Sequence, residues 1–126
     1  MEELFVSYEI AKALKEKGFN NPCFGWWCLV GDGIPSLNIE QSNRSNFQPD
    51  WDKTFLAPTH QQIIDWLREK HDLPIHIHSI WQHDSNNYSY QYHITANHEE
   101  WNGTEHYKSF NEALNNAIEE AVKRIN

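Results

Sequence analysis

The chain has 126 residues, enough for one domain with its own core. Ten Lys and Arg against eighteen Asp and Glu leave a formal charge of −8, which weighs against nucleic acid as a partner because phosphate binding needs clustered cations. No apolar run is long enough to span a membrane, no cationic and then apolar leader opens the sequence, and two cysteines are too few for a disulfide framework.

Residues 4–18 read as a helix. Ser7 is its N-cap, Glu9 suits the positive end of the dipole, Ile10, Ala11 and Leu14 form the apolar stripe, and Gly18 stops it. Leu4-Phe5-Val6 fits a short strand equally well. After the break at Asn20-Asn21-Pro22, Cys23 to Val30 is apolar throughout, the pattern of a strand buried on both sides or set against a partner chain. Gly31-Asp32-Gly33 is a hairpin turn, and Leu37 and Ile39 alternate with Asn38 and Glu40 on a half-exposed return strand. Residues 41–58 read as a surface loop pegged by Phe47, Trp51 and Phe55, with Pro49 opposing any helix.

Thr59-His60-Gln61-Gln62 is a capping box in which Gln62 reaches back to the Thr59 amide. It opens a second helix striped by Ile63, Ile64, Trp66 and Leu67 and ended by His71-Asp72 and Pro74. Residues 74–97 read as a hairpin. A turn centred on Ser85-Asn86 sets Ile77 opposite Ile94 and His78 opposite His93, with the apolar parities of both strands on one face. Asn102-Gly103 is a further tight turn leading to a short strand at 105–108. Ser109 caps the last helix, 109–126, whose stripe runs through Phe110, Ala113, Leu114, Ala117, Ile118, Ala121, Val122 and Ile125. The fold class that follows is α+β: a single domain, an antiparallel sheet of about five strands and three helices, in the order α-ββ-α-βββ-α.

Chemistry-bearing patterns are few. His76 and His78 share one face of a strand, and the hairpin brings His93 beside them. Three imidazoles on adjacent strands can hold zinc with a fourth position open, although the wet face of an amphipathic sheet accounts for the same residues. Trp26, Trp27 and Trp51, with Arg44, can form an aromatic cleft with one cationic arm, or serve as core or dimer contacts. Cys23 and Cys28 fall on opposite faces of their strand, a spacing that suits neither a redox pair nor a zinc knuckle and leaves them as small buried hydrophobes. No phosphate-binding glycine loop and no nucleophile elbow is present. Protonating all eight His would cancel the charge of −8, so solubility and association should change between about pH 7 and pH 5.

The segment Glu9-Ile10-Ala11-Lys12-Ala13-Leu14-Lys15-Glu16-Lys17-Gly18-Phe19 and the Asn-Pro-Cys-Phe at 21–24 form a recognisable pattern. So do the run from Ala57 to His71 and the closing Ser109-Phe110-Asn111-Glu112-Ala113-Leu114. Together they resemble a family of small proteins from phages, prophages and mobile elements of gut bacteria. The resemblance implies a cytoplasmic protein made in a bacterial host, and it brings no activity and no functional residues with it. The sequence therefore points to a non-catalytic binding module, an accessory protein acting on a host protein or a small ligand. Its content of seventeen Trp, Tyr and Phe points to an aromatic-rich core, with some rings free to serve a homodimer contact. A metal-dependent hydrolase built on His76, His78 and His93 is the second reading, and a structural virion component the third.

Overall fold

The computed structural model describes residues 2–31, 33–44, 54–96, 99–103 and 105–125, with the backbone alone at 2, 40–44, 96, 99, 101 and 102. They group into two compact units divided between Ile63 and Ile64. The elements are α1 (Tyr8–Glu16), β1 (Cys23–Val30), β2 (Ile34–Arg44), β3 (Thr54–Ala57), α2 (His60–His71), β4 (Ile75–Gln82), β5 (Asn87–Ala96), β6 (Glu99–Asn102) and α3 (Phe110–Lys123). The class is α+β, with three α-helices and antiparallel pairing among the described residues. The strands form two three-stranded sheets, β2-β1-β3 and β4-β5-β6, rather than one sheet of about five, and the order is α-βββ-α-βββ-α.

In the first unit, local chemistry sets α1. The Ser7 hydroxyl accepts from the Ile10 amide at 3.3 Å. At the other end Gly18 takes a φ of 88°, while the Phe19 and Gly18 amides donate to the carbonyls of Leu14 and Lys15. That pairing satisfies two carbonyls that the helix leaves open, in a conformation glycine adopts without strain. Residues 2–4 form a single 3-10 turn, and Phe5 bridges Thr59 with the Val6 amide donating to Pro58, so 4–6 belongs neither to α1 nor to a sheet strand.

β1 is not buried on both sides. Cys23 and Gly25 are buried, but Leu29 and Val30 reach the surface at the hairpin end. β2 is longer than the alternation at 37–40 indicates. It pairs in register from Val30↔Ile34 to Gly25↔Ile39 and then jumps to Cys23↔Arg44 across a bulge. β3 lies inside the segment read as a loop. Its four residues are too few to display alternation, and Thr54, Phe55 and Ala57 are all buried. Phe55 does act as a peg: Tyr8 meets it edge-on at 5.5 Å and the Lys15 ammonium lies 5.0 Å from its ring centre. Phe47 and Trp51 lie outside the described residues. At the start of α2, Thr59 Oγ1 accepts from the Gln62 amide at 3.2 Å, but the Gln62 side chain donates to the Pro22 carbonyl at 2.7 Å instead of closing the capping box.

In the second unit, β4 pairs β5 with Ile75 opposite Ile94, His76 opposite His93 and His78 opposite Gln91. The turn is His83 to Asn86, closed by a left-handed Asn86 at φ 56°. The expected register is therefore displaced by two residues. A two-residue slip keeps every side chain on its own face, so the agreement of parities could not detect it. Ile94 is fully buried on the face turned to α3, which buries Ala113, Leu114, Ala117, Ile118, Ala121 and Val122. Ser109 caps α3 by accepting from the Glu112 amide at 3.1 Å. Phe110, placed on the stripe by its spacing, is 49% exposed and touches Tyr90 edge-on. The third strand precedes the Asn102-Gly103 turn. Residues 105–108 contribute only a bridge, in which Tyr90 and Tyr107 exchange backbone hydrogen bonds of 2.9 and 2.8 Å. Among the described residues no helix is long and apolar enough to cross a membrane.

Candidate functional site

Pleating sends the even positions of β4 and the odd positions of β5 to the face away from Ile94. That outer face carries His76, His78, Ile80 and Gln82 on one strand and Asn87, Ser89, Gln91, His93 and Thr95 on the other. The Tyr90–Tyr107 bridge fixes the segment that follows β6 alongside, and His106 joins the same face.

At one end the three predicted histidines meet. His76 is directly opposite His93, a position the sequence reading gave to His78; His78 is the diagonal neighbour. The ring centres of His76 and His93 are 4.8 Å apart with planes tilted by 38°, and those of His78 and His93 are 4.5 Å apart at 31°. His78 Nε2 and His93 Nδ1 are 2.6 Å apart. Two imidazole nitrogens on one tetrahedral zinc sit about 3.3 Å apart, given Zn–N bonds of about 2.0–2.1 Å. The contact is thus a direct hydrogen bond, one ring donating and the other accepting. Among the described residues no group of three or more His, Cys, Asp or Glu is arranged to hold a metal ion.

Burial, and then the neighbouring His78 and His76, push His93 below the usual imidazole range, with Glu100 on β6 pulling the other way. His71 is also lowered, by burial and by Lys70. Its Nε2 is buried without a hydrogen-bond partner among the described residues, and its ring stands edge-on to Trp66 at 4.5 Å. An imidazole whose folded value is depressed contributes stability above its ordinary value of about 6.5 and loses it as pH falls through the folded value. The expected result is a Tm that declines between about pH 7 and pH 5. His93→Gln should remove part of that slope and His71→Gln another part, as read by thermal melts followed by circular dichroism.

At the other end of the face lies a pocket of about 520 Å³, lined by residues that include Gln82, Ser89, Tyr90, His106, Tyr107 and Lys108. Ser89 is buried at 9% exposure. Its Oγ accepts from Gln82 Nε2 at 3.0 Å and lies 2.9 Å from His106 Nδ1, while Gln91 Nε2 lies 3.3 Å from His106 Nε2. Sequence reasoning missed this group, because Ser89 and His106 are brought together by a bridge between strands and by no spacing motif.

Of the expected tryptophan cleft, the side chains within the described residues are those of Trp26 and Trp27. Trp26 and Trp27 are consecutive on β1 and point to opposite faces. Trp27 is a structural peg, donating from Nε1 to the Val6 carbonyl at 2.9 Å with Tyr8 edge-on at 6.2 Å. Arg44 pairs with Cys23 through its backbone, and its side chain and Trp51 lie outside the described residues. Both cysteines are free. Cys23 is buried, its thiol donates to the Asn21 carbonyl at 3.2 Å, and burial pushes its pKa up to about 12, which makes it inert. No family model matches the chain, and no curated protein or solved structure matches it either.

Proposed function

We propose that the chain is a non-catalytic binding protein that takes a small polar ligand in the Ser89 pocket. In the setting its resemblance implies, it serves as an accessory protein of a phage or mobile element in the cytoplasm of a bacterial host. The observation that carries the binding reading is the set of polar side chains gathered around the Ser89 hydroxyl, Gln82 and His106 on its oxygen and Gln91 beyond His106. In the His106 tautomer whose Nε2 accepts from the Gln91 amide, Nδ1 carries the proton and donates to Ser89 Oγ. Gln82 donates to the same oxygen. Two donors occupy both lone pairs, so the hydroxyl keeps its own hydrogen, and that hydrogen is free to bond a guest. A serine nucleophile needs the opposite arrangement, with the imidazole accepting the hydroxyl proton.

An activated-phosphonate probe of serine nucleophiles separates the two chemistries. Ser89 is expected to remain unlabelled over hours, while a fragment screen by amide NMR shifts resonances at 82–90 and 105–108. Labelling of Ser89 that His106→Ala abolishes would establish a hydrolytic pair and overturn the reading. Stoichiometric zinc in the purified protein would favour the metal-dependent hydrolase built on His76, His78 and His93 over this reading. A second mode of use, self-association, is favoured by Leu29, Val30 and Ile34 at the β1–β2 hairpin end, where Ile34 is 64% exposed.

A further inference from the structure

We infer that the guest of the Ser89 pocket is a small organic oxyanion, a carboxylate or a phosphate monoester. This rests on the reading of the pocket as a binding site. The first observation is the buried Ser89 hydroxyl, whose unused function, in the His106 tautomer that accepts from Gln91, is as a donor. Ionised carboxylates, with oxygens that only accept, are the natural complement, and a hydrogen bond to a charged acceptor is about twice as strong as a neutral one.

The second observation is charge. Lys108 lines the pocket, and no Asp or Glu does so among the described residues, in a chain with eighteen acids and ten bases. Lys108 has no carboxylate within ion-pair distance among the described residues. The outer-face positions of β4 and β5, with 106 and 108, hold four imidazoles and one ammonium and no carboxylate. The acids nearby are Glu100, opposite Thr95 at the far end of the face, Asp84 in the turn and Glu105 beside His106. An acidic protein has thus kept one pocket supplied with donors and one cation. Tyr88, Tyr90 and Tyr107 also line the pocket, but pleating turns their rings to the opposite face, where Tyr90 meets Phe110 and Tyr107 stacks on Tyr92.

Amide NMR titration of the full chain with phenyl phosphate, benzoate, inorganic phosphate and benzyl alcohol tests the inference. Phenyl phosphate or benzoate should move the amides of Ser89, Tyr90, His106 and Lys108. Benzyl alcohol, with the ring and no charge, should bind at least about tenfold more weakly. Inorganic phosphate, with the charge and no ring, should move the same amides. Whichever of phenyl phosphate and benzoate binds tighter distinguishes a phosphate guest from a carboxylate one. Lys108→Gln, at an exposed side chain, and Ser89→Ala should each weaken the anion about tenfold, while Lys123→Gln on the outer side of α3 leaves it unchanged. Benzyl alcohol binding as tightly as the anions at the same amides would overturn the oxyanion and leave the pocket as a neutral-ligand site. An unchanged affinity in Lys108→Gln would overturn it too. Silence from all four probes would remove both the oxyanion and the pocket reading.

Discussion

Ile118→Ala is expected to destabilise the protein by about 2–5 kcal/mol, near the upper end of that range. Ile118 has no exposed surface, and it sits midway along α3 between Leu114 and Val122. Its neighbours on the buried stripe, Ala113, Ala117 and Ala121, are also fully buried. Alanines bring a helix close to whatever it packs on, and they have no side-chain torsion with which to move into a vacated space. The hole left by the missing atoms therefore stays open, and the cost of truncation rises with residual cavity volume. A domain whose total stability is about 5–15 kcal/mol would lose a large part of it. Phe110→Ala is the control. Its spacing puts it on the same stripe, but it is half exposed and rests on Tyr90 by one edge contact, so its truncation should cost about 1 kcal/mol. Urea titration of both variants checks the contrast. Equal losses would mean that the stripe buries both residues alike.

The helices were legible because their signals are local. Ser7, Thr59 and Ser109 each accept from an amide three residues on, a relation that a short window contains. The sheets were legible only to their parity. The apolar faces of β4 and β5 follow from alternation, but the register depends on where the turn begins, and the left-handed residue that closes it is Asn86. β3 escaped because a four-residue buried strand carries no period, and the partition into two sheets escaped because alternation never says which strands pair. The histidine group survived the register error, since a two-residue slip only exchanges neighbours within one face. The Ser89–His106 pair had no such protection. It exists because Tyr107 bridges Tyr90, seventeen positions earlier in the chain, and no motif encodes that contact.

That same bridge gives Gly103 an influence out of proportion to its size. Gly103→Ala should cost about 1–3 kcal/mol, as overpacking does. A Cβ at this position would lie 2.6 Å from Cε2 of Tyr92 and 2.9 Å from Cδ2 and Cζ, closer than real contacts allow. The backbone cannot retreat cheaply, because the Gly103 amide donates to the Tyr92 carbonyl at 2.9 Å. The Tyr92 ring must give way, and it is stacked on Tyr107 with ring centres 6.3 Å apart. Displacing Tyr107 strains its bridge to Tyr90 and with it the placement of His106 against Ser89. Two readouts follow. Gly103→Ala should shift the His106 ring resonances, which a merely local clash would leave in place. In a Tyr92→Ala background the same substitution should cost about 1 kcal/mol less, because the ring it meets is gone. A cost unchanged by Tyr92→Ala would assign the effect to the turn itself and detach the stability of this corner from the geometry of the pocket.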